Sequence, residues 1–201
     1  MTNFFAANFQ GAAFELFGTT HFAALGVLVV LNLSLLRFKN ASDGAQSGIR
    51  WMLAFVLLVN EIAWHYWNYM VGRWTIQTML PLHLCSLLVW TGALMMITKN
   101  YRIYEFMYFI GIAGAIQALT TPGLGIYGFP HFVFFQYFIS HGLILTSAIY
   151  MTVGRVSAYL EIHSPSGSLD EYLCIDRLFH QFCHRQQLPD DQLQAEYVQL
   201  A

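Results

Sequence analysis

Charge is what this sequence has least of. Nine Lys and Arg and eleven Asp and Glu make up 10% of its 201 residues, where a soluble domain carries roughly 25%. The net charge of −2 supplies no basic field, so no nucleic-acid partner is expected. Cysteine is scarce as well. Three thiols, widely spaced, give neither a disulfide framework nor a zinc pattern. The first charged side chain is Glu15, so the basic n-region of a signal peptide is missing and none is expected. No internal repeat is visible.

What fills the space is apolar: 57% of the residues are hydrophobic, with a mean hydropathy of +0.50. One soluble core could not hide that much apolar surface, which predicts a membrane-embedded chain. Five apolar segments can be drawn, at about 18–36, 51–71, 79–97, 104–121 and 130–153. Each is close to the ~20 residues that carry a helix across ~30 Å of hydrocarbon. Lipid offers no partner to a free backbone group, so helices are the default. The expected fold is an all-α polytopic bundle of five transmembrane helices. Residues 39–48 are polar and read as a loop, Thr121-Pro122-Gly123 opens a Gly-rich turn, and Pro130 suits the first turn of the fifth helix.

The basic residues orient it. Arg37, Lys39, Arg50, Lys99, Arg102 and Arg155 fall on one side and only Arg73 on the other, which predicts an N-terminus outside and those loops in the cytoplasm. Trp51, Trp74, Tyr101, Tyr104 and Tyr127 sit near segment ends, where interfacial aromatics belong. The expected location is a bacterial plasma membrane.

Residues 156–201 break the pattern. They are acidic and Gln-rich, with no membrane-length run. The plain reading is a polar cytoplasmic tail. Codon degeneracy suggests another. Back-translated and read one nucleotide further on, this stretch permits a basic loop, an apolar helix and a second loop. A frameshift near Arg155 that replaced the native C-terminal helices is therefore expected, and the coding DNA decides it. His180, Cys183 and His184 have ligand-like spacing, but in such a tail they are not read as a metal site.

Polar residues inside a membrane are costly and mark candidate sites. Glu61, His65 and Asn68 are spaced i, i+4, i+7 on one face of the second helix. With His83, Cys85, Ser86, Gln117, Gln136, His141 and His21, they fall in the outer half by this topology, whereas Asn32 and Ser34 do not. Three roles compete. Cys85 could be a thiol nucleophile with a histidine base, or a small apolar filler. His21, His65, His83, His131 and His141 could converge on a metal, though no HExxH or HxxxH pairing supports it. Glu61, His65 and Gln117 could bond across helices and fix packing, with Gly111, Gly114 and Gly142 allowing close approach. No metal or other cofactor is expected. His83 and Cys85, two residues apart, point about 200° apart on a helix and do not form a pair.

At Leu80-Pro81-Leu82-His83-Leu84-Cys85-Ser86 and Gln136-Tyr137-Phe138-Ile139-Ser140-His141-Gly142 the chain resembles the YwaF-like family of bacterial integral membrane proteins, from about residue 15 to Arg155. The eukaryotic relatives of that family include a membrane acyltransferase of phospholipid remodelling that works through one Cys and one His. His83 or Ser86 is read as a nearby oxyanion donor and Glu61, His65 and Gln117 as supporting polar groups, while the resemblance implies Cys85 as nucleophile and His141 as base. It implies membrane lipids as partners, and lipid acyl transfer or ester hydrolysis in the outer half of the bilayer. The rival readings are a non-enzymatic transporter or binding protein with a Glu61–His65 proton path, and an inactive truncated fragment.

Overall fold

The computed structural model describes residues 3–76 and 84–153. His83 and the tail expected to be frameshifted lie outside the described residues. The described chain is all-helical. α1 is Thr19–Leu36, α2 is Asp43–Met70, α3 is Leu84–Thr98, α4 is Tyr101–Thr120 and α5 is Phe132–Val153. Four of these (α1 with its short continuation, α2, α4 and α5) are long and apolar enough to cross a membrane, and α3 is a shorter apolar helix. Large side chains such as Val27, Val30, Phe55, Ile62 and Leu94 stand exposed on the outer faces. In water that surface would be ruinous; in lipid it costs nothing.

α1 begins where the sequence places it, but α2 does not. It starts at Asp43, eight residues before Trp51, because Ser42 caps it: the Ala45 N–H donates to Ser42 Oγ at 3.4 Å. Residues 43–48 belong to the stretch 39–48 that was expected to be loop because it is polar. A helix of 28 residues is about 42 Å long, so its polar first turns continue beyond the hydrocarbon without breaking. α4 likewise starts three residues early, capped by Asn100, whose Oδ1 accepts from the N–H of Arg102 and Ile103. Its path contains a π turn at Met107–Gly111 that brings Met107 fully into the core. Pro130 precedes α5 rather than occupying its first turn, and His131 takes the position before the helix.

α5 is the central element: 67% of its best apolar window is buried, against 11–28% for the other three long helices. Its lower half packs Ile144, Tyr150 and Met151 against Leu57, Met95, Met96 and Met107 of α2, α3 and α4. Its upper half packs Phe134 and Phe138 with Trp67, Leu119 and Leu124. Gly142 sets the α1–α5 distance, since a Cβ there would lie 2.3 Å from Leu28 Cδ2. Hydrogen bonds across helices include Asn32 Nδ2 donating to Thr146 Oγ1 at 3.0 Å and Asn60 Nδ2 to the Gln136 carbonyl at 3.1 Å. Such bonds average about 0.6 kcal/mol in membranes, so packing does most of the holding.

The two ends of the bundle are closed differently. At one end Arg50, buried in α2, donates to the Met96 carbonyl at 2.7 Å and so caps the last turn of α3. At the other end residues 3–17 form a strap that the sequence does not announce. Trp67 Nε1 donates to the Phe5 carbonyl, His131 Nε2 to the Ala6 carbonyl and Tyr127 Oη to the Ala7 carbonyl, at 3.1, 3.0 and 2.7 Å. Arg73, expected as a lone cation on this side, donates to Tyr127 Oη at 2.6 Å. Gly128 lies under the strap, where a Cβ would sit 2.3 Å from the Ala12 carbonyl oxygen.

Candidate functional site

Four histidines in the strapped half are described, and their hydrogen bonds sort them by what their rings can still do. His21, at the start of α1, accepts from the Phe17 N–H at Nδ1 (3.1 Å), and its Nε2 faces the Leu119 carbonyl at 2.8 Å. An amide can only donate and a carbonyl only accept, so the ring is the neutral Nε2–H tautomer with both nitrogens committed. His131 repeats this arrangement, Nδ1 accepting from Val133 N–H and Nε2 donating to Ala6. Both are fully buried. Neither has a lone pair left for a metal, so the five-histidine metal set loses two members. Among the described residues no group of three His, Cys, Asp or Glu is placed to hold an ion.

His141 differs. Its Nδ1 faces the Tyr137 carbonyl at 2.9 Å and must donate, so Nε2 carries the free lone pair of the neutral ring. That atom is buried and has no hydrogen-bond partner among the described residues. A buried unpaired acceptor costs about 1–3 kcal/mol. Such a cost is what one expects of a group kept for an incoming donor.

Tyr137 shares this corner. Its ring centroid is 4.1 Å from that of His141, and its hydroxyl donates to the Ala118 carbonyl at 3.0 Å. Tyr137 and His141 pack together on α5, while Cys85 on α3 is within electrostatic reach of Tyr137 and of Glu61 on α2. Cys85 is free and exposed, in the first turn of α3, and Ser86 beside it is half-buried.

Glu61 is the second unsatisfied group. It is 2% exposed and its Oε1 has no hydrogen-bond partner among the described residues; His65 Nε2 lies 3.6 Å from it. His65 leads outward, with a side chain 28% exposed and Nδ1 accepting from Trp74 Nε1 at 3.2 Å. Asn68 turns back on its own helix, to the Trp64 carbonyl. Gln117 is exposed, and it is its carbonyl that the fold uses, accepting from the Thr120 and Thr121 hydroxyls. Sequence reasoning missed Tyr137 because a tyrosine in an aromatic helix carries no signal of its own. The signal was its i, i+4 spacing to His141.

Helices of this length and apolarity, lipid-compatible outer faces and a polar corner inside one half define a multi-pass α-helical membrane protein. The chain belongs to the TMEM164 family, a membrane protein family whose model matches residues 16–160. No curated protein and no solved structure matches it.

Proposed function

We propose that this protein is a lipid acyl-transfer or ester-hydrolysing enzyme of a bacterial plasma membrane, with its N-terminus outside, and that Cys85 is its nucleophile and His141 its base. The observation that carries the reading is the unpaired, buried Nε2 of His141, one turn of α5 from Tyr137, which is within electrostatic reach of the exposed Cys85. The Cys–His pairing implied by the YwaF-like resemblance supports it, as does the exposure of the thiol.

Cys85 Sγ attacks the ester carbonyl and His141 Nε2 takes the thiol proton. The S–C bond forms, the C–O bond breaks, and His141 returns the proton to the departing alkoxide. A second alcohol, or water, then attacks the thioester with its proton going to Nε2, which restores the thiol. Ser86 and His83 are the oxyanion donors of this scheme. A lipid-tailed electrophile should label Cys85 in membranes. Cys85→Ser should abolish labelling, and His141→Ala should slow it by roughly 10²-fold or more, the usual worth of a general base. Equal labelling of a Cys85→Ala chain would overturn the assignment.

One observation favours a second reading. Glu61 is buried and unsatisfied, and His65 links it to the surface, the arrangement of a proton path in a transporter. Proton uptake by liposomes holding the protein, lost in Glu61→Gln and kept in Cys85→Ser, would replace the first reading with this one.

A further inference from the structure

Cysteine–histidine enzymes use a third group, usually a carboxylate or amide, to hold the base in one tautomer and one orientation. None does so here, for the partner of His141 Nδ1 is a backbone carbonyl. We propose that Tyr137 is the positioning residue of His141, a clamp that keeps Nε2 as the free, unprotonated nitrogen aimed into the Cys85 corner. The proposal rests on the assignment of His141 as base.

Tyr137 meets His141 at two points and is itself fixed at a third. Its carbonyl accepts the Nδ1 proton at 2.9 Å, which sets the tautomer. Its ring lies 4.1 Å from the imidazole, tilted by 36°, and packs against it. Its hydroxyl donates to the Ala118 carbonyl at 3.0 Å, so the ring is tied to α4 and cannot swing away with a moving histidine. An aromatic packed on a histidine four residues later is by itself an ordinary helix pair. The tether to a second helix makes it a clamp, because it fixes the ring in the frame of the bundle rather than that of α5. That carbonyl belongs to the last turn of α4, which has no intrahelical donor for it, so the tether also satisfies a group that would otherwise be orphaned.

The contrast with the other buried histidines sharpens the point. His21 and His131 are both held as the Nε2–H tautomer, with amides on Nδ1. Only at His141 does the fold select the opposite form among these three. A flipped ring would place the protonated nitrogen toward the thiol and leave no base.

The test reads the tautomer directly. Protein with 15N-labelled histidine is prepared in nanodiscs, and the His141 signals are assigned by their loss in His141→Gln. The wild type should show a single Nδ1–H tautomer, and Tyr137→Phe, which keeps the ring but cuts its tether to Ala118, should show a minor Nε2–H population. Tyr137→Leu, which removes the ring, should show a substantial Nε2–H population, and labelling of Cys85 should slow by about tenfold or more in step with it, since small misplacements of a reacting group cost that much. If Tyr137→Leu does not fold, Tyr137→Met carries the same comparison. An unchanged His141 spectrum without the ring overturns the clamp. A tautomer shift in a protein whose wild type never labels at Cys85 keeps the clamp and removes the nucleophile.

Discussion

At the scale of single residues, the balance of donors and acceptors decides what each polar group is for. His131 is the clearest case. It precedes α5, and its Nδ1 accepts from Val133 N–H, an N-cap made by a ring nitrogen. Burial holds its pKa below the ordinary histidine value, even though the Ala6 carbonyl favours the protonated form. The neutral ring therefore contributes fully above the ordinary value, and its contribution is lost as pH falls through the ordinary range toward the lowered one. Protonation leaves the bond to Ala6 but turns Nδ1 into a donor facing a donor. Hydrogen exchange in residues 3–17, corrected for intrinsic rates, should accelerate on acidification, and His131→Phe should flatten that pH dependence. Glycines differ in the same residue-level way. The atoms that an added Cβ would meet at Gly142 belong to the Leu28 side chain, which can rotate; at Gly128 they belong to the backbone of Ala12 and Ala13, which cannot. Gly128→Ala should therefore loosen the strap, and Gly142→Ala should cost less. Proteolysis within residues 3–17 would separate the two.

At the scale of elements, what matters is how each helix ends. α3 leaves its last carbonyls without intrahelical partners, and the buried Arg50 guanidinium answers one of them at 2.7 Å. Arg50→Ala should lower stability by about 1–3 kcal/mol, the penalty for a buried unsatisfied carbonyl. Arg50→Lys should recover part of it, because an ammonium can donate to Met96 but cannot fork to Ser47 as well. Thermal melting in detergent reads both. α2 shows the complementary lesson: its polar first turns hold because Ser42 caps them and because Gln46 Nε2 donates back to the Lys39 and Ala41 carbonyls, closing the α1–α2 connection.

At the scale of the whole molecule, the bundle is asymmetric in what it buries. The Arg50 half is filled by methionine and aliphatic side chains, whereas the strapped half is built from aromatic rings with three of the four described histidines fully packed among them. Of the three buried side-chain atoms without a partner among the described residues, Glu61 Oε1 and His141 Nε2 belong to the strapped half, and Asn32 Oδ1 lies on α1. Such orphans destabilise the fold, and proteins keep them where function needs them. His141→Leu and Glu61→Gln should each leave the melting temperature unchanged or raise it, while His21→Leu should lower it, since His21 ties Phe17 to Leu119 and leaves both unsatisfied when removed. A melting series in one detergent separates the stabilising histidines from the one held in reserve.

Several features were legible in the sequence for direct physical reasons. Scarce charge and long apolar runs dictate a membrane bundle whatever the details. The i, i+4, i+7 spacing of Glu61, His65 and Asn68 follows from helix period alone. The opening of α2 was misread because polarity marks exposure to water, not loss of helix. The strap was invisible because its partners in Trp67, Tyr127 and His131 are more than sixty residues distant and bind its backbone, which has no sequence signature. The roles of the histidines could be decided only in three dimensions. Composition says that His21, His131 and His141 are each a ring in an apolar helix or at its edge. Which nitrogen is spent on a carbonyl, which on an amide, and which is left over depends on neighbours brought by other turns and other helices. That remainder, one lone pair on His141, separates a structural histidine from a candidate base.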